Sequence, residues 1–418
     1  MKTEAVHITG PAQWEMISKE LPEIGPREVL LKVAASGMCY STYKAYSLGP
    51  EHKRVPDDVA ENPVMTGHEF CGTIAQVGSE LAGQYEVGQP VMIQPAMGLP
   101  TGYSPGYSYP YYGGDATYTI VPDFAIDMGC ILPYGSDYMA NASLAEPMMC
   151  IIGAFHSNFH TTQFVYEHRM GIEPGGDLAL LGCGGPMGLG AIQYALNGPY
   201  KPRTIVVTDI DADRLARAEQ LLPPSLLEGT GRRLVYINTA ECEDVEATLR
   251  AETPDDKGFD DVFVFAVNRE LVETAQAIMG FDGCLNFFAG PTDKNFSAMF
   301  NFYDVHYEIH HVVGTSGGSR SDMEEALKMA AEGTLNPSMM ISHVGGLDAV
   351  GPTLERFPEI PGGKKMFYPF VRMPLTAIQD FRARSAEDPR FAGLADICEA
   401  NDNIWSAEAE KYLLENWS

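Results

Sequence analysis

Short apolar runs separated by turn residues fill the first part of the chain. The clearest lie at residues 29–35, 72–78 and 90–95. Runs of this kind at this spacing are typical of an irregular antiparallel barrel. We therefore expect a β-barrel from residue 1 to about 118.

A second pattern begins near residue 177, where apolar strands alternate with helix-like stretches. The strands are predicted at residues 177–181, 204–209, 261–267, 283–290 and 310–315. Such alternation indicates a parallel, doubly wound sheet, so the fold class is α/β with two domains. We expect residues 1–155 and 337–418 to form the barrel domain with a helix-prone tail, and residues 156–336 to form the doubly wound domain.

The first strand of the second domain runs into a glycine-rich turn and then a helix. Such turns, of the Gly-x-Gly-x-x-Gly type, let the backbone approach a pyrophosphate at a helix N-terminus. The next strand ends at Asp209, which is expected to bind the adenosine ribose, and Asp211 adds repulsion against a 2'-phosphate. These acids favour NAD(H), with NADP(H) left open. The predicted cofactor contacts from this pattern are Gly182, Gly184, Gly185, Pro186, Met187, Gly188, Asp209, Val267 and Gly290.

Charge and composition limit the kinds of partner that the protein is expected to bind. The chain has 56 acidic and 28 basic residues, a formal net charge of -28, which argues against binding to nucleic acid or to an anionic membrane. No apolar run approaches the length of a membrane span, and the first residues do not form a signal peptide, so we expect a cytoplasmic protein. The eight cysteines are scattered and are expected to be reduced.

Three side chains are candidate metal ligands, and Glu146 is a further candidate site residue. His68 and Glu69 stand side by side in a glycine-framed turn, but an isolated pair of this kind is more often a core histidine beside a surface acid. A catalytic zinc needs about three protein ligands. Cys39, after the first apolar run, is placed to supply a thiolate, although a single cysteine is more often a small buried hydrophobe. Glu146, in an apolar context before a proline, needs a partner.

The order of these motifs resembles that of the zinc-dependent medium-chain dehydrogenases and reductases, the alcohol and polyol dehydrogenase superfamily. The residues that carry the resemblance are 37–41, 67–72, 145–147 and 182–188. It implies a GroES-like barrel and a Rossmann domain. It also implies that Cys39 and His68 bind zinc, that Glu69 coordinates zinc or regulates its exchange, and that Glu146 binds zinc directly or through water.

Three departures from the family pattern matter. The four-cysteine lobe that holds a structural zinc in many members is replaced by a tyrosine-rich loop at 95–114, so we expect one catalytic zinc and no structural zinc. Ser41 matches the hydroxyl that relays the proton, whereas Thr42 stands where an aspartate is usual and Lys44 where a histidine is usual. From Ser41 the proton would then travel through ribose hydroxyls or through Lys44 to water. Arg214 matches a residue that contacts the ribose.

A closer resemblance concerns the substrate. Residues 39–44, 93–96, 105–109, 168–172 and 286–302 look like the L-sorbose-1-phosphate reductase subfamily. This implies interconversion of a ketose 1-phosphate and D-glucitol 6-phosphate, and an NADPH preference that conflicts with the two acids. The alternative is a dehydrogenase of an unphosphorylated polyol or other secondary alcohol.

Substrate phosphate would need a cationic pocket. Lys44 with His52, Lys53 and Arg54 can supply one, although a solvated basic loop explains Lys53 and Arg54 equally well. A nucleotide-binding protein without catalysis is disfavoured by the intact set of candidate site residues. We also expect a homo-oligomer, either a dimer or a tetramer.

Overall fold

The protein is described here as a computed structural model, which covers residues 1–417. The chain forms two compact units, one made of Met1–Pro147 with the chain from Met323 onward, the other of Met148–Asp322. The sequence-based domain boundaries, near residues 155 and 337, lie later in the chain than the two points where it passes between these units. The exact domain boundaries stay a prediction.

The chain up to the first crossing is mainly β-structure. Its strands are β1 Lys2–Gly10, β2 Gln13–Glu20, β3 Val29–Met38, β4 Val64–Met65, β5 Glu69–Val77, β6 Pro90–Ile93, β7 Tyr118–Val121 and β8 Ile131–Pro133. Its helices are α1 Tyr40–Leu48, α2 Asp123–Asp127, α3 Met139–Ser143 and the start of α4 Ala145–Ser157. The predicted irregular loop at 95–114 is confirmed, since no helix or strand lies between β6 and β7.

Strands and helices then alternate. The strands are β9 Phe159–Thr162, β10 Val165–Met170, β11 Asp177–Leu181, β12 Thr204–Asp209, β13 Arg233–Asn238, β14 Phe259–Val264, β15 Met279–Phe287 and β16 His311–Gly314. The helices are α5 Pro186–Asn197, α6 Ala212–Leu221, α7 Val245–Arg250, α8 Arg269–Ala277, α9 Phe302–Tyr307 and α10 Arg320–Ala331.

The last part of the chain returns to the first unit and adds a helical tail. Its strands are β17 Ile341–Gly346, β18 Lys364–Tyr368 and β19 Thr376–Ala377. Its helices are α11 Val350–Arg356, α12 Phe381–Arg384, α13 Arg390–Glu399 and α14 Ala407–Trp417. Among the described helices, none combines the length and the hydropathy needed to cross a bilayer.

The first unit is a GroES-like barrel. Its larger sheet has the order β19-β17-β18-β3-β5-β6-β8, with β7 also paired to β3. Strand β3 is central and almost wholly buried, which fits its apolar sequence. Its end therefore has a neighbour on each side, and this arrangement positions the site described below.

The second unit is a Rossmann fold. Its six-stranded sheet is parallel, with the order β13-β12-β11-β14-β15-β16. Strands β11 and β12 are buried along their whole length, as expected of parallel strands covered on both faces. The predicted α/β class and both domain types are confirmed.

The tail, which carries no recognisable motif, is anchored by one buried acid. The Glu410 carboxylate on α14 accepts hydrogen bonds from the backbone N–H groups of Met139 and Ala140 and from the Tyr368 hydroxyl, each at 2.8 Å. Burial raises the pKa of Glu410 to about 7. The acid caps the N-terminus of α3, and Ser143 at the other end of α3 donates to the Glu69 carbonyl at 2.7 Å.

Candidate active site

The pairing of three strands brings distant residues together at the end of β3. Gly37 on β3 pairs with Glu69 on β5, and Met38 pairs with Lys365 on β18. Cys39 follows Met38 directly as the residue before α1. A thiol, an acid and a lysine-bearing strand therefore meet at one edge of the barrel.

Cys39, His68 and Glu69 form a group suited to a metal ion. One ligand atom from each lies within 4.8 Å of the other two, and within residues 1–417 no other group of three such side chains was found. His68 and Glu69 are buried, and one carboxylate oxygen of Glu69, Oε2, has no hydrogen-bond partner. Sulfur, imidazole nitrogen and carboxylate oxygen are zinc donors, so these residues fit zinc.

The His68 ring is oriented by Thr42. The Nδ1 atom lies 3.2 Å from the Thr42 hydroxyl oxygen, and burial lowers the pKa of His68, so the ring is neutral. If Nδ1–H donates to Thr42, Nε2 carries the lone pair that a metal would take in place of its present contact with the Tyr107 hydroxyl at 3.3 Å. Thr42 thus orients the ring even though the usual aspartate is absent.

Lys364 is one of two residues of this site that the sequence did not reveal. Its amine forms a buried ion pair with Glu69 Oε1. Burial opposes the charge on Lys364, but the charge of Glu69 raises its pKa above the ordinary value. On the other side of Glu69, a Cβ at Gly37 would stand 2.5 Å from Oε2, so only glycine leaves room for this carboxylate.

Glu146 lies in the first turn of α4. The helix begins at Ala145, and Pro147 is tolerated because it also lies in the first turn. Burial raises the pKa of Glu146, while the charges of His68 and Lys364 act in the opposite direction. Glu146 is therefore close enough to the metal group for the charges of that group to affect its pKa.

Ser41 has a hydroxyl partner, Tyr107, that was not singled out from the sequence. The two hydroxyl oxygens are 2.7 Å apart, and the Tyr107 oxygen is 3.3 Å from His68 Nε2. Burial raises the pKa of Tyr107 well above its ordinary value, so the phenol keeps its proton. The Lys44 amine instead lies over the Tyr40 ring, 5.3 Å from its centre. The relay role of Lys44 stays a prediction.

In the nucleotide unit, three glycines of the turn have distinct roles. The turn is one residue longer than Gly-x-Gly-x-x-Gly, with glycines at 182, 184, 185 and 188. Gly182 has a φ of +66°, which side-chain-bearing residues rarely adopt. A Cβ at Gly188 would lie 1.7 Å from the Cys183 carbonyl oxygen, whereas a Cβ at Gly185 would meet nothing within 4 Å. This leaves open space beside the backbone where α5 begins, with Pro186 and Met187 as its first residues.

Asp209 ends β12 beside this turn. Its carboxylate accepts from the backbone N–H groups of Gly184 at 2.8 Å and Asp211 at 3.0 Å. Asp211 caps α6, and Arg214 forms an ion pair with Asp211 at 3.3 Å. These residues fit a dinucleotide with a free ribose, because a carboxylate accepts from hydroxyl groups. Val267 and Gly290, beyond the ends of β14 and β15, are exposed. Their cofactor contacts stay predictions.

Known proteins share both the motifs and the fold. The alcohol dehydrogenase GroES-like domain family matches residues 25–128, and the zinc-binding dehydrogenase family matches residues 186–332. The chain is 56% identical to mannitol-1-phosphate 5-dehydrogenase of Aliivibrio fischeri, covering 99% of this chain and 98% of that protein. It is 40% identical to L-sorbose 1-phosphate reductase of Klebsiella pneumoniae, covering 99% and 97%.

A solved structure agrees in fold. (2R,3R)-Butanediol dehydrogenase from Bacillus subtilis superimposes with a TM-score of 0.71 at 19% identity, covering 88% of this chain and 99% of that one. The chain therefore belongs to the zinc-dependent medium-chain dehydrogenase/reductase superfamily and is an oxidoreductase. Within that superfamily it is close to the sorbose-1-phosphate reductases, as the sequence predicted.

Proposed function

We propose that this protein is a zinc- and nicotinamide-dependent oxidoreductase that interconverts a hexitol phosphate and a ketose phosphate. The observation that carries the proposal is the buried group of Cys39, His68 and Glu69. Relatives that cover almost the whole chain act, by their names, on mannitol 1-phosphate and L-sorbose 1-phosphate. Their agreement on a phosphorylated six-carbon substrate supports the same class here.

Cys39 and His68 would hold one catalytic zinc, with a carboxylate as third ligand. Glu69 belongs to the metal group and has a free Oε2, but Lys364 pairs with its Oε1, so Glu146 competes with it for that place. When bound, zinc stabilises negative charge on the substrate oxygen and the nicotinamide gives or accepts the hydride. The zinc content of Glu146→Ala and Glu69→Ala variants distinguishes the two carboxylates: the true ligand is the one whose loss lowers the content more.

Ser41 would exchange the proton with the substrate oxygen. Its hydroxyl is held by Tyr107 at 2.7 Å, so it is oriented before substrate arrives. Tyr107 keeps its own proton because its pKa is raised by burial, and it therefore acts by holding Ser41 in place. Lys44, on the same helix, would carry the proton onward to water.

NAD(H) is the proposed cofactor. Asp209 lies 2.8 Å from the Gly184 nitrogen and would place a negative charge beside the ribose, which disfavours a 2'-phosphate. Arg214 is paired with Asp211, which reduces its capacity to bind such a phosphate. NADP(H) remains the alternative. A homo-oligomeric state and a cytoplasmic location stay predictions.

Turnover of the zinc-loaded protein with phosphorylated and unphosphorylated hexitols tests the proposal. D-Mannitol 1-phosphate and D-glucitol 6-phosphate should be oxidised with a higher kcat/KM than D-mannitol and D-glucitol. Equal turnover of both kinds would favour the alternative, a dehydrogenase of an unphosphorylated polyol or other secondary alcohol. If none of these substrates supported hydride transfer and the protein bound no zinc, a nucleotide-binding protein without catalysis would be favoured instead.

A further inference from the structure

Two side chains from the segment after α1 pack on the Tyr107 ring. The His52 ring stacks on it with centroids 5.7 Å apart and an angle of 13° between the planes. The Arg54 guanidinium carbon lies 5.1 Å from the ring centre. Because the hydroxyl of the same tyrosine contacts Ser41 and His68, Arg54 stands one aromatic ring away from the metal group.

The cationic side chains whose charges act on His52 include those of Lys44, Lys53 and Arg54. In the part of the chain that the structure describes, none of the ion pairs includes Lys44, Lys53 or Arg54. The protein has twice as many acidic as basic residues, 56 against 28. An arginine left unpaired in such a protein, half-buried beside a reaction site, is suited to an anionic ligand.

The segment is held in a fixed conformation. Ser108, from the tyrosine-rich loop, donates to the Arg54 carbonyl oxygen at 2.6 Å, and the next residue, Val55, is buried in the barrel core. The tyrosine-rich loop at 95–114 therefore has a structural role beside the site. Through Ser108 and Tyr107 it supports both the basic segment and the catalytic hydroxyl.

His52 adds a neutral donor. The Arg54 backbone N–H donates to His52 Nδ1 at 3.3 Å, so the proton of the neutral ring is on Nε2. Burial, followed by the charges of Arg54, Lys53 and Lys44, lowers the pKa of His52 to about 4. The ring is therefore neutral at physiological pH and can donate one hydrogen bond from Nε2.

We propose that Arg54, assisted by the Nε2–H of His52, binds the phosphate group of the substrate and sets the preference for phosphorylated hexitols. The inference rests on the proposed function. A guanidinium offers a planar pair of N–H donors that matches two phosphate oxygens, and the packing on Tyr107 pre-orients it. Lys53 is exposed, and among the described residues the cation over the tyrosine ring is Arg54, so Lys53 is left out of this subsite.

The test compares Arg54→Gln and Arg54→Lys with a matched control, Lys53→Gln, which removes one positive charge from the adjacent position. The measurement is the ratio of kcat/KM for D-mannitol 1-phosphate to that for D-mannitol. Loss of a charged hydrogen bond should lower this ratio about 10- to 100-fold in Arg54→Gln, mainly through KM. Arg54→Lys should recover part of the loss, and Lys53→Gln should stay within about twofold of wild type. Equal ratios in Arg54→Gln and Lys53→Gln would overturn the inference.

Inorganic phosphate separates this inference from the proposed function. It should inhibit oxidation of D-mannitol competitively in the wild-type protein, and the inhibition constant should rise at least about tenfold in Arg54→Gln. That result would support the phosphate subsite whatever the substrate preference. Equal turnover of phosphorylated and unphosphorylated hexitols would separately reject the proposed substrate class. Inhibition of equal strength in both proteins would overturn the subsite.

Discussion

Replacing Lys364 by methionine removes the cation paired with Glu69 while keeping a long side chain in the same space. Both residues are buried, and Oε2 of Glu69 already lacks a hydrogen-bond partner. Breaking a buried pair by removing one partner costs about 3–5 kcal/mol.

Denaturant unfolding of the metal-free protein at pH 7 measures this effect. All three tryptophans, Trp14, Trp405 and Trp417, lie in the barrel unit, so their fluorescence follows the unfolding of that unit. Lys364→Met should lower the free energy of unfolding of the barrel unit by about 3–5 kcal/mol.

The double variant Lys364→Met, Glu69→Gln is the control for a general packing defect. It has no buried charge at this position, so it should recover at least about 2 kcal/mol of the loss at pH 7. A loss below about 1 kcal/mol in the single variant at pH 7, or an equal loss in the double variant, would refute the reasoning.

Three further changes test other parts of the structure. Gly37→Ala places a methyl group 2.5 Å from Glu69 Oε2 and should weaken zinc binding about tenfold by competition with a chelator, whereas in the control Gly135→Ala the nearest atom is 3.9 Å away. Asp209→Ala should lower the ratio of kcat/KM for NAD to that for NADP, and an unchanged ratio would mean that this acid does not set the preference. Burial opposes the charge on His160, but Asp261 raises its pKa to about 9 from 6.5. The contribution of the protonated His160 to folding stability is therefore complete below pH 6.5 and is lost as pH rises to 9. The melting temperature should fall over that range, and it should fall less steeply in His160→Gln. Parallel pH profiles of the two proteins would contradict this.

The sequence pointed to those candidate site residues that lie in continuous motifs. His68, the glycine turn from Gly182 and the strand ending at Asp209 depend on neighbours a few residues away, so their spacing indicates both fold and chemistry. The periodicity of the strands likewise predicted the barrel and the parallel sheet, because each reflects burial of one or both faces.

Lys364 and Tyr107 could not be found in this way. Lys364 reaches Glu69 only because β18 pairs with β3, and it is 295 positions distant in sequence. Tyr107 is one of several tyrosines in an irregular loop, where no periodicity indicates which ring points inward. Both residues reach the site only through tertiary contacts. The one sequence signal was the presence of two adjacent lysines, Lys364 and Lys365, at the start of a buried strand.

The claim that Cys39 and His68 hold the catalytic metal can be measured directly with cobalt in place of zinc. Reconstituted protein should bind one Co²⁺ per chain and show an ultraviolet thiolate-to-cobalt charge-transfer band, which Cys39→Ser should abolish together with hexitol phosphate oxidation. Persistence of the same band in Cys39→Ser, or the absence of tightly bound metal from the wild-type protein, would contradict the claim.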